Sequence, residues 1–329
     1  MFGLEIFKPV SIVFSSVPIT DFMERIKVHL PFKSPEYSNV YIMGEFVIDG
    51  GFISKEKAGE LAGEIERLGY RIDSLTFIIT HHHIDHIGIL LWYDIRAIMH
   101  PSENEFLLFY TNPQHFVKPY LEWSSRYGID LEMLRPLAEF FRSGSRVKGE
   151  ANSLKKDFRI EYETPEGMEI IHTPGHSPGH ICIYIPKEKI LFSGDLVLSV
   201  TTTHIGYYPG YGQDPVGDQI ESLRKLLSYE IDEIYPAHED TIKNAEQRIH
   251  ELIEHYENRL EEVYSGIDGI CNVIDVAKNI SWSAGSFEKL DGWNRVLAIS
   301  ETLAFLKRLV KIGRVGEKEI EGVVHFTRS

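Results

Sequence analysis

Cysteine is nearly absent: Cys182 and Cys271 are the only two in 329 residues. Two thiols cannot build a disulfide framework, so a reducing, cytoplasmic setting is expected. Long apolar runs are missing as well. No stretch of about 18 uncharged apolar residues occurs, so no membrane span is expected. The opening MFGLEIFKPV has neither the basic start nor the extended apolar core of a signal peptide. Positive charge is scarce, with Lys and Arg 34 against Asp and Glu 49 and a formal charge of −15. That balance repels a phosphate backbone over most of the surface, so nucleic acid is not the favoured partner. There is no Gly-x-Ser-x-Gly elbow to signal a serine nucleophile, and no internal repeat.

Histidine, by contrast, is somewhat rich at 15, and its placement matters more than its number. Residues 37–53 read as two short strands around Gly44 and Glu45, ending in an Asp-Gly-Gly turn. Residues 55–69 carry Ala58, Leu61, Ala62, Ile65 and Leu68 at helical spacing, closed by Gly69. The β-branched SLTFIIT predicts a buried strand that runs into THHHIDHIG, residues 80–88. Strand patterns return in MEIIHT, ICIYIP and KILFSGD, and again in EIDEIYPAH, which ends at His238. Asp240 is placed to cap a following long helix with Ile242, Ala245, Ile249, Leu252, Ile253, Tyr256 and Leu260 on one face. The tail changes character near residue 266: a helix to Ile312, a stop at Gly313, then a short strand or wing.

Several of these strands end in metal-ligating side chains. In an extended segment side chains alternate, so His81, His83 and Asp85 point one way and His82 the other. Two imidazoles can then grip one ion from a single loop, while Asp85 and His86 turn toward a second, leaving His82 as a spacer. His176 in TPGHSPGH, Asp195 in FSGDL and His238 in YPAHED supply remote partners. An isolated histidine such as His29 or His250 reads instead as surface or satisfied core.

The series HHHIDH, TPGHSPGH, SGD and PAH, in that order over roughly residues 37–240, resembles the metallo-β-lactamase-fold hydrolases. TPGHSPGHICIY is most similar to the glyoxalase II-like branch, and the tail resembles the LACTB2-like proteins with their small winged-helix C-terminal domain. The resemblance implies an α/β fold, a four-layer αββα sandwich, with a small C-terminal helical or winged-helix-like domain. It implies His81, His83 and His176 on a first metal, Asp85, His86 and His238 on a second, and Asp195 bridging. Two divalent ions would make a bridging hydroxide that attacks an ester, thioester or lactone carbonyl, with Asp85 handling its proton. The HxHxDH form resembles the zinc hydrolases, although iron or manganese occupies some glyoxalase II-like sites. In flavodiiron oxygen reductases the position of His83 is Glu.

Around that centre, Asp49 and Thr80 are expected to support the metal loop by hydrogen bonding, and His180 either to support it or to form part of the turn. In the loop TTTHIGYYPGYGQDP, residues 201–215, the candidate substrate contacts are His204, Tyr207, Tyr208 and Tyr211. The aromatic stretch 102–142 has two readings. One is helices packing their rings as core or homodimer contacts; the other is an apolar lid for an acyl or hydrophobic small molecule, built from Phe106, Phe109, Tyr110, Phe116, Tyr120 and Trp123. The expected organisation is a catalytic domain over residues 1–265, with a helical insert at about 102–150, followed by a C-terminal domain over 266–329.

Two other activities share these motifs. One is a metal-dependent endoribonuclease or phosphodiesterase using the tail to hold RNA; only 43 positions separate Asp195 from His238, too few for the β-CASP nuclease insertion. The other is a persulfide dioxygenase with mononuclear iron on His81, His176 and Asp195. A non-catalytic scaffold is disfavoured, since seven buried polar ligands would need partners without metal.

Overall fold

A computed structural model describes residues 23–32, 34–139, 160–161, 164–283 and 285–329. Two β-sheets lie face to face. The first runs in chain order: β1 (Met23–His29), β2 (Tyr37–Met43), β3 (Phe46–Ile48), β4 (Thr76–Ile78), β5 (Arg96–Ile98) and β6 (Ile160–Glu161). It is antiparallel through β3 and parallel from there on. The second is ordered β10 (Glu233–Pro236), β9 (Ile190–Gly194), β8 (Ile181–Ile185), β7 (Glu169–His172), with β10 and β9 parallel.

The two-residue period of each strand sorts its side chains between layers. Tyr41, Met43, Ile48, Ile78 and Ile98 of the first sheet meet Ile181, Ile183, Ile185, Ile190 and Phe192 of the second in one buried cluster. Their neighbours Val40, Ile42, Val47, Phe77, Cys182, Leu191 and Ile234 turn outward into the helical layers. Helix Lys55–Arg67 begins where the Ser54 side chain accepts from the Lys57 N–H, and it buries Ala58, Leu61, Ala62 and Ile65. Helices Pro215–Leu226 and Ala245–Ser265 pack on each other beyond the second sheet. The result is the expected four-layer αββα sandwich.

The long helix starts later than its sequence suggests. Asp240 does not cap it; Asp240 lies 3.6 Å from Arg25 and 3.8 Å from Lys27, and the helix opens at Ala245 behind Asn244. The intervening chain is held extended because Ile242 exchanges both backbone hydrogen bonds with Ile234 on β10. In the aromatic stretch the structure has the helices Leu108–Thr111 and Gln114–Arg126, while residues 140–150 of the expected insert lie outside the described residues.

The tail forms helices Val273–Asn279 and Gly292–Lys311 and an antiparallel hairpin of β11 (Val315–Ile320) and β12 (Val323–Arg328). Both hairpin turn residues are left-handed, Glu321 at φ 51° and Gly322 at φ 81°, as a tight two-residue turn requires. Leu303, Phe305 and Leu306 of this tail share one buried apolar cluster with Ile220, Leu252 and Tyr256. Among the described residues no helix is long and apolar enough to cross a membrane.

Two substitutions test this packing by urea denaturation. Phe192→Ala empties the centre of the sandwich and is expected to cost about 3–5 kcal/mol. Gly194, which ends β9 at φ 51°, has no room for a side chain: a Cβ there would sit 2.6 Å from His180 Nε2 and 2.9 Å from Thr80 Cβ. Gly194→Ala is therefore expected to cost at least about 2 kcal/mol. Gly63→Ala, mid-helix with open space around it, should instead raise stability by roughly 0.5–1 kcal/mol. Equal midpoints for the two glycine variants would contradict this account.

Candidate metal centre

The loop after β4, the turn between β7 and β8, and the ends of β9 and β10 open on the same side of the sandwich. They bring together two groups of side chains. His81, His83, His176 and Asp195 form one; Asp85, His86 and His238 form the other. Within each group the ligand-capable atoms lie within 4.8 Å of one another. All seven residues expected from the sequence are therefore in one place.

Asp195 faces both groups. Its Oδ2 lies 3.4 Å from His176 Nε2 and 3.9 Å from His81 Nε2. Its Oδ1 lies 3.3 Å from His238 Nε2 and 3.6 Å from His86 Nε2. Asp85 faces only the second group, with Oδ1 3.6 Å from His86 Nε2 and Oδ2 3.4 Å from His238 Nε2. Two of these buried atoms, His86 Nε2 and Asp195 Oδ1, have no hydrogen-bond partner. Unpaired polar atoms in the interior are costly, and a cation between them would remove that cost. The donor set of imidazole nitrogens and carboxylate oxygens suits a divalent metal ion.

The opposite nitrogen of each ring is held by the fold. The Thr80 hydroxyl donates to Asp49, 2.9 Å from Oδ1, and so accepts from His81 Nδ1 at 3.0 Å. His86 Nδ1 donates to Asp49 Oδ2 at 2.9 Å. His176 Nδ1 donates to the carbonyl of His204, and His238 Nδ1 to that of Tyr37, both at 2.8 Å. Asp49 and Thr80 thus support the loop by hydrogen bonding, as expected. Such partners orient imidazoles toward a metal and set their tautomer.

The titration of the cluster follows from burial. Burial and the surrounding imidazoles hold His81 and His83 well below the ordinary histidine range, so both rings are neutral with free lone pairs. Burial also lowers His86, but Asp49, Asp195 and Asp85 outweigh it and raise the ring to about 10. Burial raises Asp195, yet His238, His86 and His176 bring it to about 2.

The remaining candidates divide. His180 is fully buried and used at both nitrogens: Nε2 accepts from the Asp195 N–H at 3.1 Å and Nδ1 meets Thr173 Oγ1 at 2.9 Å. It holds the strand end in place, and burial pushes its pKa down to about 3. His204 and Tyr208 face the C-terminal helix, His204 Nδ1 being 3.5 Å from Glu301 and the Tyr208 hydroxyl 2.8 Å from Ser300 Oγ. Tyr207 is tied to the same helix by its backbone, 3.0 Å from the Ser300 carbonyl. Tyr211 reaches the cluster: its hydroxyl is 3.3 Å from His83 Nε2. Phe106, Phe109, Tyr110, Phe116, Tyr120 and Trp123 are all buried, Phe109 stacking on Phe116 at 3.6 Å. They form a packed wall beside the site.

Three contributors went unnoticed in the sequence. Gln219 accepts from the His176 N–H at 3.0 Å. Glu301 reaches the loop from some 60 positions beyond the last motif. Glu103, with no exposed surface, binds His82 and the 177–179 turn. His82 does point away from both groups, yet it is no spacer; it pairs with that carboxylate and stacks on Phe106 at 4.7 Å. The one available signal for Glu103 was its position just after a strand end, where sites collect.

The model of the metallo-beta-lactamase superfamily matches residues 34–238. The probable metallo-hydrolase YqjP of Bacillus subtilis is 26% identical over 262 residues, spanning 74% of this chain and 79% of that protein. The atrochrysone carboxyl ACP thioesterase of Aspergillus fumigatus is 31% identical over 113 residues, 34% of this chain and 32% of the relative. The crystal structure of a metallo-beta-lactamase family protein from Thermus thermophilus is similar in fold, with a TM-score of 0.72 at 22% identity, covering 93% of this chain and 98% of that one. With its motifs converging at the sheet ends as a His/Asp cluster, the chain belongs to the metallo-beta-lactamase superfamily and is a metal-dependent hydrolase.

Proposed function

We propose that this enzyme hydrolyses an ester, thioester or lactone of a small acyl compound with two divalent metal ions, zinc by preference. The observation that carries the reading is the division of Asp195, one carboxylate oxygen toward each His-containing group. His81, His83 and His176 would hold one ion, Asp85, His86 and His238 the other, and Asp195 would touch both. Ions bound there supply Lewis acidity toward the substrate carbonyl and acidify water.

The protein's own groups account for the rest. Asp85 is the carboxylate that faces the second group alone and keeps some solvent access. It takes the proton of the attacking water at one oxygen and returns it to the departing sulfur or oxygen as the carbonyl bond to that atom breaks. The buried aromatic wall at Phe106 and the Tyr211 ring, 5.2 Å apart, gives the first group an apolar flank, which suits an acyl chain. The thioesterase named among the relatives supports the same substrate class.

The nuclease alternative gains nothing from the tail. Lys307 is paired with Glu317, Arg308 and Lys311 with Asp214, and Arg314 with Glu261, while Arg328 donates to the carbonyls of Tyr264 and Ser265. These five cations of the tail are engaged with the fold, which reduces the basic surface it offers RNA. The second group of ligands likewise has no use in a mononuclear-iron dioxygenase.

Metal analysis of the purified enzyme is expected to give two divalent equivalents, and a panel of thioesters and lactones should show turnover that chelation abolishes and zinc restores. Asp85→Asn should lower kcat by about 10²–10⁴-fold. One iron per chain with oxygen uptake on glutathione persulfide would overturn the proposal, as would RNA cleavage without carbonyl ester turnover.

A further inference from the structure

Glu103 lies in the one-turn helix Pro101–Glu103 that follows β5, outside every motif of the cluster. Its carboxylate is completely buried and saturated with donors. Oε2 accepts from the His82 backbone N–H at 2.8 Å and from His82 Nδ1. Oε1 accepts from Ser177 Oγ at 2.9 Å and from the Gly179 N–H. One side chain thereby joins the two segments that carry His81 and His83 on one hand and His176 on the other. The fit leaves no slack: a Cβ on Gly179 would stand 2.8 Å from Glu103 Cγ.

The contact also extends to a ligand. His83 turns Nδ1 toward His81 Nε2, 2.9 Å away inside the cluster, so its proton sits on Nε2 and is donated to the Tyr211 oxygen at 3.3 Å. The Tyr211 hydroxyl is then free to donate to His82 Nε2, also at 3.3 Å. His82 carries its own proton on Nδ1, toward Glu103. A directed chain runs His83, Tyr211, His82, Glu103, and each tautomer in it follows from the next acceptor.

We propose that Glu103 is the positioning residue of the His81/His83/His176 group. It fixes the separation of the two ligand segments and, through His82 and Tyr211, presents His83 by Nδ1. This rests on the metal reading above. Outer partners of metal-binding imidazoles typically govern affinity by about 10–100-fold, and that is the effect expected here for one of the two ions.

The test uses the metal-stripped full chain, titrated with zinc against a chromophoric chelator and with cobalt(II) followed by its visible absorption. Glu103→Gln puts an amide NH₂ where an acceptor is needed. It is expected to weaken one zinc equivalent by about 10–100-fold and to alter the cobalt band, with the other equivalent close to wild type. Tyr211→Phe cuts only the chain to His83, and Ser177→Ala loosens only the His176 turn; each should weaken the same equivalent by a smaller factor, about 3–10-fold. Should Glu103→Gln not fold, these two variants decide the matter alone. Wild-type zinc affinity and an unchanged cobalt band in the folded variants, even with lowered melting temperatures, would reduce Glu103 to a purely structural role and overturn the proposal. A wild-type chain that binds neither ion would instead bring down the metal reading itself.

Discussion

Each imidazole at the centre has two nitrogens, and only one of them can face a cation; the other must find an acceptor inside a fold that excludes water. Much of the architecture follows from that constraint. Asp49 serves two of the rings, directly for His86 and through Thr80 for His81. It does so from a left-handed backbone position, φ 63°, at the end of β3. Carbonyls of His204 and Tyr37 serve His176 and His238. A buried imidazole without such a partner would rotate or protonate, and the lone pairs would no longer converge.

The same demand explains why parts remote from the motifs matter. The loop that carries the His204 carbonyl is pinned from the far side by the C-terminal helix. Ser300 holds Tyr207 and Tyr208, Glu301 faces His204, and Arg308 reaches Asp214 at the loop's end, 2.8 Å away. Glu301 is itself anchored by Arg259 at 3.1 Å, on the long helix over the second sheet. The tail therefore acts on the centre by way of packing and hydrogen bonds. Glu239 does similar work beside His238: its carboxylate takes the N–H groups of Val200 and Thr201 and so ties the chain after Asp195 to the end of β10.

Much of this was legible in the sequence. Strand positions, the helix closed at Gly69 and a strand or wing after Gly313 follow from local periodicity and turn chemistry, which act over a few residues; the sandwich was implied by the resemblance of the motif series. The seven cluster residues were legible because each sits at a strand end within a short motif of distinctive composition. Asp240 failed as a helix cap because Ile242 was already engaged with Ile234, a pairing across the fold that no local pattern announces. His82 looked like a spacer because alternation tells which way a side chain points and not what it meets there.

By itself, then, the sequence determined the seven cluster residues, whose chemistry sits at fixed local spacing, and, through the resemblance of their motifs, the family and the layer order. Beyond Asp49 and Thr80, it was the tertiary structure that decided which groups orient them. Glu103 lies 21 positions from His82 and 74 from Ser177, and Glu301 nearly a hundred from His204. Hydrogen-bond partners are set by distance in space, and a chain that folds back on itself through two sheets erases any record of that distance in its numbering.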